Sequence, residues 1–147
     1  MNRFAWVIDR WAIGIALVLL LAGCAGTSST GRSGMGGATL SGREEVPPVT
    51  TTASGTSTIT IAGDKSVSGA VTTTGVVGTA AHIHQGAMGQ NGPVIIPLTK
   101  TADNVWSVPA GTKLTDAQYD AFKAGNLYVN VHSDANKGGE VRAQLKP

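Results

Sequence analysis

Cysteine is nearly absent from this 147-residue chain: the only one stands at position 24. No disulfide can staple the fold, so it must rest on a hydrophobic core. Aromatic residues amount to 5% and charged residues to 14%, and the formal net charge is only +2. Residues 1–23 hold Arg3, Arg10 and Asp9, so removing them takes the totals of 11 basic and 9 acidic to 9 and 8. With no basic run either, nucleic acid is not an expected partner. Nucleophile elbow, phosphate-cradling loop and CxxC pair are all missing, and so are long repeats and heptads. Histidine is scarce too, with three in the whole chain.

The amino terminus combines MNRFAWVIDR, an apolar run over residues 11–21, and Leu21-Ala22-Gly23-Cys24. A short positive region, an h-region and small residues before a cut describe a secretory signal. The run falls short of the roughly 20 apolar residues a spanning helix needs. Leu-Ala-Gly-Cys resembles a bacterial lipobox, which implies lipidation of Cys24 and a membrane anchor of more than one acyl chain, palmitate-like in character. Ala25, where Asp would favour inner-membrane retention, points to the outer membrane of a bacterial envelope. Residues 25–38 (AGTSSTGRSGMGGA) read as a flexible tether spanning roughly 20 Å. The expected organisation is therefore a signal over 1–23, lipidated Cys24 and tether over 24–38, and one domain over 39–147.

That domain reads as all-β. SGTSTITIAG places Ile59 and Ile61 on one face, and SVSGAVTTTG sets Val67, Gly69 and Val71 against Ser68 and Ala70. Turn signals recur every eight to twelve residues or so, as in an antiparallel, Greek-key-like sandwich or barrel. One short helix near 115–124 interrupts the strands. Thr115 and Gln118 form a capping box, Gly125 is the stop, and Leu114 and Phe122 are the expected buried contacts. Trp106 is expected to fill core.

The histidines occur in AAHIHQGAMGQNGPVI and NLYVNVHSDANKGGEVRAQL. Alternation puts His82 and His84 on one strand face and Ile83 on the other. Likewise Leu127, Val129 and Val131 face inward, whereas Tyr128, Asn130 and His132 face out. Two readings stay open for the imidazoles. Histidines two apart on a strand can both reach one ion, and a third from another strand suits copper or zinc with a position left open. Alternatively, His82 and His84 hydrogen-bond carbonyls of the 86–92 turn, and His132 packs on Tyr128 or Asn130. Asn130 would tie a loop. Arg142, placed outward by Val141, Ala143 and Leu145, would bind an anion or pair with Glu140 or Asp134.

Three segments, LSGREEVPPV, AAHIHQGAMGQNGPVI and LYVNVHSDANKGGEVRAQL, together resemble the CHRD domain, the module repeated in chordin and found singly in bacterial secreted proteins. The resemblance covers almost all of residues 39–147; Arg43-Glu44 and Ala143 depart from it mildly. It implies no established reaction for the bacterial forms, and chordin's binding of growth factors does not carry over. In EEVPPV, Pro47 and Pro48 extend Val46 and keep the segment out of a central ladder, at an edge or bulge. Glu45 is either a solvated charge or a partner for Arg142 or a histidine N–H.

The expected function is a lipid-anchored, non-enzymatic binding module of the envelope. The alternative is a copper- or zinc-binding protein using His82, His84 and His132, and a purely structural envelope role is a third. His-Ile-His followed by Val-His also resembles the copper half of the Cu,Zn superoxide dismutase barrel, but no histidine is left for a bridge or a second metal, so dismutation is not expected.

Overall fold

The computed structural model describes residues 37–147; the signal, Cys24 and most of the tether lie outside them. The described chain forms eleven strands and one α-helix. The strands are β1 (Ala38–Ser41), β2 (Ser54–Ser57), β3 (Thr60–Ile61), β4 (Val67–Ser68), β5 (Ala70–Thr74), β6 (Gly78–Gln85), β7 (Val94–Pro97), β8 (Thr99–Ala102), β9 (Val105–Ser107), β10 (Leu127–Ser133) and β11 (Val141–Leu145). Helix α1 spans Asp116–Lys123, and a single 3-10 turn over Gly42–Glu44 follows β1.

Nine strands make one antiparallel sheet in the order β7-β6-β10-β11-β1-β2-β5-β9-β8. Its two edges, β7 and β8, are consecutive in the chain and joined through Leu98. Leu98 is buried and donates its N–H to the Ala81 carbonyl, so the sheet curls until its ends nearly meet. The result is an all-β, nearly closed barrel-like sheet with one helix. Curling brings the inward residues together: Leu40, Val71, Ile83, Leu127, Val129, Val131 and Val141 are fully buried, and Trp106 joins the same cluster. Each such Val or Leu contributes roughly 1.5–3 kcal/mol through burial.

Helix α1 begins as its sequence dictates. Thr115 accepts from the Gln118 N–H while the Gln118 side chain accepts from the Thr115 N–H, and Gly125, at φ +73°, turns the chain out. Leu114 and Phe122 are buried.

Two expectations need correction. SGTSTITIAG is not one strand, because the chain breaks between β2 and β3. Opposite the break, Gly69 takes φ +109°, and a Cβ there would overlap the Thr58 carbonyl. The Thr58 hydroxyl and N–H bond to Ala70 instead, and β3 pairs with β4 in a separate two-stranded ribbon. The alternation survives the break: Ser57 and Ile59 stay buried and Thr58 and Thr60 exposed. The second correction concerns EEVPPV, which is neither edge strand nor bulge. It leaves the 3-10 turn as part of a connection to β2, held by the Val49 N–H donating to the Gly42 carbonyl.

Candidate metal centre

The register of three neighbouring strands builds two cross-strand rows on the face away from the core. His84 of β6, Tyr128 of β10 and Gln144 of β11 align in one, and His82, Asn130 and Arg142 in the next. This face is not a solvent face. Tyr128, Asn130 and Arg142 are at most 2% exposed, and His84 is buried. Loops over residues 42–53, 86–93 and 134–140 supply the partners that cover it.

The three histidines meet at the end of these rows. One ligating nitrogen from each lies within 4.8 Å of the other two. His82 Nδ1 is 3.0 Å from His132 Nε2, whereas His84 faces the pair with ring centroids 5.6 Å and 6.2 Å away. Three nitrogens at about 2 Å from one ion would stand roughly 3.5 Å apart, so only a small contraction separates the trio from a coordination triangle. Among the described residues no carboxylate joins this group.

Two of the imidazoles are oriented by backbone. His84 Nδ1 is 2.9 Å from the Gly92 carbonyl, and His132 Nδ1 is 2.9 Å from the Lys137 carbonyl. A carbonyl only accepts, so each Nδ1 carries the hydrogen and each Nε2 presents a lone pair. His82 Nδ1–H can then donate to His132 Nε2. His84 Nε2 is buried and makes no well-formed hydrogen bond, with the Asn130 side chain as its one neighbouring polar group. Orientation of a ligand ring by a backbone carbonyl on its other nitrogen is the common second shell of metal sites. Burial depresses the His82 and His84 pKa values below the ordinary 6.5, and the neighbouring imidazoles push the same way; the Gly92 carbonyl and the Asn130 side chain work against the shift at His84. The His82 and His84 rings therefore favour the neutral form, the one able to bind a metal.

Behind His84 stands a cation. Tyr128 stacks on His84, and the Arg142 guanidinium lies 3.4 Å from the Tyr128 ring centroid. Since β6 and β11 flank β10 on opposite sides, the phenol is sandwiched between imidazole and guanidinium. Arg142 donates to the carbonyls of Gln90 (2.9 Å) and Ala87 (3.4 Å) and to Asn91 Oδ1 (3.3 Å). It pairs with neither Glu140 nor Asp134. Glu140 instead accepts from Thr51, Ser133 and Asn136, fastening the β10–β11 turn to the loop before β2.

Glu45 is not a solvated charge. It is 4% exposed, and burial raises its pKa to about 7 against the opposing pull of Arg142 and Asn130. Its carboxyl packs against Gly139, where φ is +142° and a Cβ would overlap it. Asn130 ties a loop as expected, through Nδ2 to the Gly138 carbonyl at 3.4 Å, while its Oδ1 is left unpartnered. Of the hydrogen bonds expected for the histidines, His84 makes one to the 86–92 turn; His82 pairs with His132 instead, and His132 bonds Lys137 rather than packing on Tyr128 or Asn130. Sequence reasoning missed the orienting carbonyls of Gly92 and Lys137 and the Tyr128–Arg142 stack. The glycine-rich turns that directly follow both histidine strands were the available signal.

A family model described as the CHRD domain matches residues 37–145. No curated protein and no solved structure matches the chain.

Proposed function

The chain belongs to the CHRD-domain family, and from that premise we propose that it is a non-enzymatic binding module whose bound species is a copper or zinc ion held by His82, His84 and His132. The observation that carries this reading is the convergence of the three imidazoles, one nitrogen of each within 4.8 Å of the other two, with His84 Nε2 buried, aimed by the Gly92 bond and without a well-formed hydrogen bond. A buried acceptor without a partner costs about 1–3 kcal/mol, and an ion offsets that cost. Fastening the 86–92 turn explains Nδ1 of the same ring but not why Nε2 faces the other two imidazoles. Three imidazole donors also leave a fourth position for water or an exchanging ligand, as suits imidazole-bound zinc or copper. On entry the ion replaces the His82–His132 hydrogen bond, the only one within the trio.

The lipobox supports placing this module on a lipid at Cys24, at the envelope of a bacterium, with the tether setting its distance from the membrane. The deciding experiment is elemental analysis of protein purified without a His tag, beside Cu(II) and Zn(II) titrations. About one ion per chain, lost in the triple His82→Ala, His84→Ala, His132→Ala variant, is the expected result. Equal copper binding by wild type and triple variant would sink the metal reading.

A further inference from the structure

We propose that the Arg142 charge, set behind Tyr128, makes the three-histidine site select Cu(I) over Cu(II) and Zn(II). The inference rests on the metal reading above and goes beyond it to the charge state of the ion.

Among the described residues no carboxylate joins the three imidazoles, so the site supplies no negative charge to a dication. The cation in the same layer is Arg142, 1% exposed and separated from His84 by the Tyr128 ring, whereas the buried Glu140 carboxylate is held by Thr51, Ser133 and Asn136. The Arg142 field opposes a second positive charge on an ion held at His84. Glu45 is the carboxyl that senses Arg142, but its own burial keeps it largely protonated below neutral pH. A unit charge about 8 Å away at an effective dielectric of about 20 changes the relative affinity for a mono- and a dication by roughly thirtyfold.

Coordination number points the same way. Cu(I) is satisfied by three nitrogens in a triangle, whereas Zn(II) completes a tetrahedron and Cu(II) prefers tetragonal surroundings. The trio offers three donors, with His84 buried and His82 and His132 half-buried.

The test is a set of affinity ratios measured on the whole domain at one pH. Cu(I) affinity is read anaerobically by competition with a Cu(I)-specific chelator, and Cu(II) and Zn(II) affinities by their own competitors. Wild type should bind Cu(I) most tightly. Arg142→Gln should lower the Cu(I)-to-Cu(II) ratio by roughly ten- to thirtyfold, and Arg142→Lys, which keeps the charge, should lower it far less. Because Arg142 is buried, a second variant leaves it in place. Asn91 is exposed and already accepts from the guanidinium, so Asn91→Asp sets a carboxylate against Arg142 and should shift the ratio the same way by a smaller factor. Should Arg142→Gln fail to fold, Asn91→Asp decides. Cu(II) or Zn(II) bound as tightly as Cu(I) by wild type, or ratios unchanged in these variants, would overturn the selectivity while the metal site stands. Absence of any binding by wild type would overturn the site itself.

Discussion

Tyr128 lies face to face with His84, ring centroids 4.7 Å apart and planes 5° from parallel. The contact follows from register, since the two residues are cross-strand partners on β10 and β6. Tyr128 also receives the Gly92 N–H on its hydroxyl at 3.2 Å, and the Gly92 carbonyl holds His84 Nδ1. One glycine thus fixes both rings. Tyr128→Phe keeps the stack and removes the hydroxyl, so it should loosen the 86–92 turn, with a loss of about 1 kcal/mol in chemical denaturation. Tyr128→Ala removes the stack as well and should cost about 3–5 kcal/mol. Equal losses in the two variants would show that the ring contributes nothing beyond its hydroxyl.

The histidines give the metal-free domain a pH dependence with a definite sign. The folded pKa values of His82 and His84 are depressed by burial, so the unfolded chain takes up protons first as the pH falls. Stability from His82 and His84 is fully present above the ordinary value of 6.5 and declines as the pH falls through and below it. Metal affinity should fall in the same direction, because protonated imidazole cannot ligate. Denaturation midpoints of wild type and the triple His→Ala variant, taken from pH 8 to 5, check both statements: the variant should lose this slope, and added metal should raise the wild-type melting temperature only.

Glu45 acts with the opposite sign. Its folded pKa is raised from 4.5 to about 7, so its contribution is fully present below 4.5 and is lost as the pH rises toward 7. Glu45→Gln keeps the shape against Gly139 and removes the ionisation. It should therefore be more stable than wild type at pH 8, by on the order of 2–3 kcal/mol, with the gap closing near pH 4.5. A constant difference across that range would mean that Glu45 is not the titrating group.

The core face of the histidine strands was legible in the sequence because alternation sets it: Leu127, Val129 and Val131 are all fully buried. So was the helix, whose boundaries rest on local capping chemistry at Thr115 and Gln118. The opposite face was legible in membership but not in environment. Period-two alternation says that Tyr128, Asn130 and His132 share a side, yet it cannot say that distant loops will cover them. That cover comes from long-range contacts such as Asn91 Nδ2 to the Val46 carbonyl at 2.7 Å, and no local pattern encodes them. For this reason the solvated reading of Glu45 and the Glu140 or Asp134 pairing of Arg142 fail, whereas the reading of Glu45 as a neighbour of Arg142 holds within one buried polar layer. The three histidines were found together because that required only strand faces, whereas their tautomers depended on where two turns placed their carbonyls.

Because that layer is buried, substitutions on both faces of β10 should be felt. Val129→Asp places an unpaired charge in the core and should cost several kcal/mol. Asn130→Asp, which would be mild on a solvated face, instead sets a second carboxyl beside Glu45 at 2% exposure. Its cost should grow as the pH rises from 5 to 8 and shrink when combined with Glu45→Gln. Additive losses in the double variant would show that the two side chains do not interact.

The anchor is the remaining proposal to test, since Cys24 lies outside the described residues. The lipobox requires its thiol for acylation, and the tether after it then holds the domain within roughly 20 Å of the membrane. Cys24→Ala should leave an uncut, unlipidated precursor, while the domain itself, whose core contains no cysteine, should fold and bind metal as before. Mass spectrometry of the mature amino terminus reads the modification directly, and membrane fractionation reads its consequence. A free thiol at Cys24 in the mature protein would end the lipoprotein reading without touching the metal site. Loss of metal binding in Cys24→Ala would instead tie the two together, a result that the distance in sequence between Cys24 and His82 gives no reason to expect.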